Sequence, residues 1–141
     1  MSDRDSISLL AIGIGHAGCE VLRNVDAARV DGRFDRLGID TNAKELEQIA
    51  ACGIATYLAG GEACQGKGVN SDVEQAILCM EDATKDFAGM LKGRSLVVVA
   101  AGLGGCTGGA LEPLLRTAEE TKTPVVLLGI LPFSFESIER K

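Results

Sequence analysis

The sequence predicts an α/β fold: a three-layer, Rossmann-like doubly wound parallel sheet with helices on both faces. Three observations point there. Short apolar runs alternate with stretches of helical periodicity along the chain. Glycine fills 18 of the 141 positions and aromatics only 4%, a composition suited to small-residue packing and tight turns. The glycines also gather just after the apolar runs, where the strands of such a sheet end.

Taken in order, Ile7–Ile12 (ISLLAI) lies between a polar leader and Gly13 and reads as a first strand. Gly13–Gly18 reads as a turn, and Cys19–Val30 as a helix with Val21, Leu22, Val25 and Ala28 on one face. Arg33–Ile39 alternates loosely as a second strand ending at Asp40, after which Asp40–Thr41–Asn42 offers N-cap chemistry for a helix over Ala43–Ala51. Ala55–Leu58 is a short third strand near an edge, followed by the glycine-rich loop Gly60–Asn70. Ser71 is expected to cap one long helix whose apolar stripe runs Val73, Ala76, Ile77, Met80, Ala83, Phe87 and Leu91. Leu96–Ala101 is the fourth strand and Ala110–Thr121 the next helix. Pro124–Leu131 is a fifth strand, apolar throughout, as a strand covered on both faces should be. Pro132–Phe135 leaves the sheet and Glu136–Lys141 starts something further; residues 1–141 are read as one domain.

Bulk properties narrow the function. A chain of 141 residues buries about two-thirds of its unfolded surface, enough for one core. The net charge of −6 argues against a nucleic-acid partner. No run of about 18 apolar residues suggests a membrane span, and the polar start lacks the apolar core of a signal peptide. Cys19, Cys52, Cys64, Cys79 and Cys106 are odd in number and form no C-x-x-C pair, which points to a reducing, cytoplasmic setting with neither disulfide framework nor zinc site.

The most informative stretch is Gly102–Gly109, GLGGCTGG, with five glycines in eight residues. It follows the strand and precedes a helix, so bare backbone N–H groups and the positive end of a helix dipole can meet one anion. Thr107 is its only hydroxyl and it has no lysine, so it is not the G-x-x-x-x-G-K-[ST] loop. Cys106 there is either a reactive thiolate or a small residue in a glycine's place. Glycine loops also follow the first and third predicted strands, on the edge where ligands collect. The first, GIGHAG, is literally G-x-G-x-x-G, and Asp40 follows about twenty residues later, as in dinucleotide sites. Several loops around one long anion favour a nucleoside triphosphate instead.

Here the chain resembles the tubulin/FtsZ family of GTP-binding, filament-forming proteins, and its bacterial branch more than eukaryotic tubulin. Gly104, Gly105, Cys106, Thr107, Gly108, Gly109 and Ala110 stand where the family has GGGTGTG or GGGTGSG. Gly13, Gly15, Gly18 and Cys19 are similar to its first phosphate loop, and Asp40–Thr41–Asn42–Ala43 to its N-T-D-A turn with acid and amide exchanged. Gly66–Lys67–Gly68–Val69–Asn70 resembles its G-A-G-A-N loop, and Pro132–Phe133–Ser134–Phe135–Glu136 its P-F-x-F-E segment. Arg140 falls where the family has a nucleotide-contacting arginine.

The resemblance implies a site for GTP or GDP with Mg²⁺ bridging the phosphates. Gly15, His16, Ala17 and Gly18, with Gly102, Gly104, Gly105, Cys106, Thr107 and Gly108, would surround the phosphates. Asp40 and Asn42 would lie beside them, Gly68, Val69 and Asn70 would cover the γ-phosphate, and Glu136 and Arg140 would hold the ribose end. Lys67 could reach the γ-phosphate or lie in solvent. The departures at His16, Ala17, Cys106, Gly109 and Ala110 add side chains or remove a hydroxyl where the family has glycine, threonine or serine. Family members continue into a central helix and a second domain that supplies the catalytic acid. This chain stops at Lys141, as a truncated domain or a short paralogue. No catalytic residue or metal-ligating side chain is therefore assigned, and little or no hydrolysis is expected from the chain alone. Expected partners are a guanine nucleotide and either a second copy or an FtsZ-like subunit, without nucleic acid or membrane insertion. Two alternatives stay open: an NAD-binding oxidoreductase half using Gly13, Gly15, Gly18 and Asp40, and a degenerate interaction module that has lost nucleotide.

Overall fold

The computed structural model describes residues 7–25, 33–60, 66, 68, 72–103 and 110–131. Its strands are β1 (Ser8–Ile14), β2 (Arg33–Asp40), β3 (Ala55–Leu58), β4 (Leu96–Gly102) and β5 (Val125–Ile130). Its helices are α1 (Gly15–Arg23), α2 (Ala43–Ala50), α3 (Val73–Asp82), α4 (Thr84–Leu91) and α5 (Glu112–Glu120). The strands form one sheet in the order β3-β2-β1-β4-β5, and every pair is parallel. This is the doubly wound α/β sheet that the alternation of elements predicts. β1 lies at its centre, with Ile14 beside Ile39 of β2 and Ala101 of β4.

Strand pleating sends alternate β1 side chains to opposite faces. Leu10, Ile12 and Ile14 join Val97, Val99, Met80, Phe87, Leu91 and Leu114 in the larger core, beneath α3, α4 and α5. Ala11 joins Cys19, Leu22, Ile49 and Ile54 in a smaller core beneath α1 and α2. Tyr57 of β3 ties the larger layer across the sheet. Its ring lies 5.9 Å from that of Phe87, and its hydroxyl donates to Asp86 Oδ2 at 2.5 Å.

Several boundaries differ from the sequence reading. β1 continues through Gly13 and Ile14, and α1 starts at Gly15, so the whole of the expected turn is strand and helix. The helix also ends earlier than Val30, with Asn24 at its C-cap. The expected long helix divides at Ala83, which closes α3 and opens α4. There Ala83 N–H reaches only to the Met80 carbonyl, a tighter turn than α-helix, and Thr84 Oγ1 donates to the Glu81 carbonyl. Asp72, not Ser71, caps α3, with Oδ1 accepting from Gln75 N–H at 3.0 Å. On its stripe, Ala76, Met80, Ala83, Phe87 and Leu91 are buried, whereas Val73 and Ile77 face solvent. Helix α5 begins at Glu112, two residues late, with Pro113 in its first turn.

The largest correction concerns β5. Apolar composition suggested a strand covered on both faces; among the described residues β5 forms the edge of the sheet, and Val126, Leu127, Leu128 and Ile130 are 40–49% exposed. The residues around Glu136–Lys141 lie outside the described residues.

Helix α1 depends on two glycines. A Cβ on Gly18 would overlap the Ala100 carbonyl oxygen, and one on Gly13 would overlap the Gly18 carbonyl. Neither obstacle is a flexible side chain, so the helix would have to lift off the sheet. Gly18→Ala is therefore expected to destabilise the fold by about 3 kcal/mol. In a circular-dichroism melt this lowers Tm by about 10 °C; an unchanged melt would contradict so close a seat.

Candidate functional site

The strand order reverses between β1 and β4, and in such sheets ligands settle beyond the strands' carboxyl ends at that reversal. The turn after β1 is built there. Gly15 opens α1 with φ +73°, a conformation natural to glycine. Its N-cap, Ile14, makes no side-chain hydrogen bond to the first turn of α1. Beside it, β4 ends at Gly102, where an added Cβ would come within 2.8 Å of the Ala17 Cβ. The end of β4 thus lies close against the first turn of α1, with room only for small residues at Gly102 and Ala17.

The turn after β2 is organised by polar groups. Asp40 is 5% exposed, and its Oδ1 accepts from Thr41 N–H at 2.7 Å and Asn42 N–H at 3.3 Å. Asn42 then caps α2, with Oδ1 accepting from Lys44 N–H at 3.0 Å. Burial raises the Asp40 carboxyl above the ordinary range, against the lowering effect of the two N–H donors. Beneath it, burial and then Asp40 itself push the Cys19 thiol up to about 12, so it stays protonated and packs as a small apolar group.

The loop after β3 folds onto this turn. Gly66 C=O accepts from Ala43 N–H at 2.8 Å, and Gly68 N–H donates to Thr41 C=O at 3.1 Å. Ala59 N–H also donates to Asp40 C=O at 2.9 Å. Two loops far apart in sequence are thus fastened by main-chain bonds, which fix position whatever the side chains. His16, the second residue of α1, is exposed, and its Nδ1 lies 2.9 Å from Glu45 Oε2 in the first turn of α2.

Among the predicted site residues, Gly15, His16, Ala17, Gly18, Asp40, Asn42, Gly68 and Gly102 lie in these turns at the strand ends. Lys67, Val69, Asn70, Gly104, Gly105, Cys106, Thr107, Gly108, Gly109, Glu136 and Arg140 lie outside the described residues. Thr41 entered only as part of the Asp40–Thr41–Asn42–Ala43 turn, and Glu45 was not anticipated. Glu45 sits three residues after the cap Asn42, the spacing of a capping box, and that was its one signal. The structure uses it otherwise: Asn42 N–H goes to Asp40, and Glu45 turns to His16.

Among the described residues no group of three or more His, Cys, Asp or Glu side chains could hold a metal ion. None of their helices is long and apolar enough to cross a membrane. A cavity of about 420 Å³ lies at the opposite, amino-terminal end of the strands, lined by Leu10, Phe34, Leu37, Met90 and the Asp35–Arg94 ion pair. None of the rim residues lines it. This hollow is thus not where the glycine turns meet.

An all-parallel sheet in this order, with glycine turns at its reversal, defines a doubly wound α/β protein of the Rossmann-like class. Comparison with known proteins narrows the class. The profile of the Tubulin/FtsZ family, GTPase domain, matches residues 8–141, and the chain belongs to that family. It is 27% identical over 134 residues to the cell division protein FtsZ of Methanothermobacter thermautotrophicus, covering 94% of this chain and 34% of that protein. It is 29% identical over 133 residues to the cell division protein FtsZ 1 of Pyrococcus abyssi, covering 94% and 35%. The chain therefore spans about a third of the length of these relatives. Among solved structures it is similar to CetZ2 from Haloferax volcanii in a GTPγS-bound protofilament, with a TM-score of 0.76, 26% identity, and coverage of 95% of this chain and 42% of that one. An empty FtsZ dimer from M. jannaschii shares the fold at a TM-score of 0.83 and 21% identity, with coverage of 95% and 38%.

The buried Asp40 gives this rim a pH signature. A carboxyl raised by burial favours the fold when protonated, and that contribution is lost as pH rises through its folded pKa. Asp40→Asn keeps an acceptor in the turn and removes the buried charge. Its Tm should exceed the wild type's by about 3 °C at pH 7. The gain should shrink as pH falls through the raised folded pKa of the wild-type carboxyl. Melts across that range check it, and equal Tm values at pH 7 would contradict it.

Proposed function

We propose that this chain is the guanine-nucleotide-binding domain, residues 1–141, of an FtsZ/tubulin-like cytoskeletal protein that works in cell division or filament formation. The observation that carries this reading is the meeting of the start of α1, the turn after β2, Gly66 and Gly68 after β3, and the end of β4 along one rim, in a chain matched by the GTPase-domain profile over residues 8–141. Gly15, His16, Ala17 and Gly18 present the uncapped first turn of α1 to the β and α phosphates. Gly102, Gly104, Gly105, Cys106, Thr107 and Gly108 complete the phosphate cradle, with Thr107 adding a hydroxyl donor. Asp40 and Asn42 shape the neighbouring turn, to which Gly68 is bonded, and Val69 and Asn70 cover the γ-phosphate. Glu136 and Arg140 hold the ribose end.

Mg²⁺ would be held by phosphate oxygens of the nucleotide and would neutralise their charge, which suits a rim whose described residues offer no carboxylate cluster. Self-association follows the relatives' habit: the CetZ2 neighbour was solved as a protofilament and the FtsZ neighbour as a dimer. The domain works in the cytoplasm. The dinucleotide reading is less well supported, because the acid it needs for a ribose hydroxyl is buried and engaged with its own turn.

Isothermal titration of the purified chain with GTPγS, GDP and NAD tests the reading. The guanine nucleotides should bind and NAD should give no heat. Binding of NAD alone would install the oxidoreductase reading, and no binding at millimolar nucleotide would favour a module that keeps the fold without the ligand. Thr107→Val should weaken GTPγS about tenfold by removing one donor to a charged oxygen, with Tm unchanged.

A further inference from the structure

We propose that Glu45 is a built-in competitor for the anion at this rim: its carboxylate occupies His16, and a bound polyphosphate takes His16 from it. The inference rests on the reading of the rim as a nucleotide site. His16 and Glu45 come from different turns, the first of α1 and the first of α2, and their bond spans the mouth between the loops after β1 and β2. At 2.9 Å it is a full hydrogen bond, yet the His16 side chain remains 68% exposed and within reach of a solute. Exposed ion pairs are weakly held, and a phosphate group offers more charge and more acceptor oxygens than one carboxylate.

Asp40 cannot take the same part. It is 5% exposed, and its Oδ1 already accepts from Thr41 and Asn42. Among the described residues of the rim, Glu45 is the exposed acid that a ligand meets. It opposes an anion twice, by like charge at the mouth and by occupying the imidazole. A ligand with several negative charges overcomes this more readily than one with few, so the pair discriminates among phosphates by charge.

The only histidine in the sequence makes the test direct, because its imidazole NMR signals need no assignment. GTPγS and inorganic tripolyphosphate are titrated into the wild type, Glu45→Gln, His16→Ala and the double variant at fixed low ionic strength. Glu45→Gln should bind both about three- to tenfold more tightly, and His16→Ala more weakly than wild type. The gain from Glu45→Gln should shrink in the His16→Ala background, whereas a purely electrostatic effect of Glu45 would persist there in full. Tripolyphosphate should move the His16 signals in the wild type. Unchanged or weaker binding by Glu45→Gln, with tight GTPγS binding by the wild type, overturns the competitor and leaves the nucleotide reading intact. Tighter tripolyphosphate binding by Glu45→Gln, without added affinity for GTPγS, sustains the competitor and overturns guanine recognition. If neither anion binds any of the four proteins, both fail.

Discussion

The seat of α1 against the main chain of β1 and β4 governs what the rest of the molecule can do. Gly13 and Gly18 put bare backbone against bare backbone, and the Ala100 carbonyl fills the space a side chain would need. This places the first turn of the helix at the reversal in strand order, beside the end of β4. A bulkier contact would hold the helix a few ångströms further out and separate the first loop from the fourth. The glycines of G-x-G-x-x-G therefore act first in packing, and the open first turn of the helix is the consequence.

Around that seat, the rim is held mainly by main-chain bonds. Thr41 and Ala43 receive the loop after β3 through Gly66 and Gly68, and Asp40 folds its carboxylate back over its own turn. Each N–H used in this way is a donor withdrawn from any ligand. The turn after β2 is largely self-satisfied, whereas the first turn of α1 has no side-chain cap. That difference in spare donors, rather than the size of any hollow, separates the part of the rim suited to an anion from the part that supports it. The acidic groups follow the same division. Asp40 is buried and structural, and Glu45 is exposed and paired with the histidine.

The family, the parallel sheet and the places where the loops leave it were all legible in the residues. Glycine loops after apolar runs can serve few other purposes, and their order along the chain matches the family's. Asn42 was legible as a cap because capping is local chemistry. Boundaries were less legible. Gly13 and Gly15 look like a turn in sequence, but tertiary contact lets strand and helix run through them. Val73 and Ile77 fit the helical period, yet the sheet covers only part of that stripe.

By itself, then, the sequence determined the fold class and the family, because periodicity, turn residues and glycine spacing are properties of short stretches. Tertiary structure alone decided which apolar residues are covered. Val126–Ile130 reads as an interior strand but forms the edge of the described sheet, since burial depends on what lies alongside. It also decided that Asp40 turns inward and that Glu45 reaches His16, twenty-nine positions away in the chain. Such pairings come from the register of neighbouring strands and the helices they carry, and no local pattern encodes them.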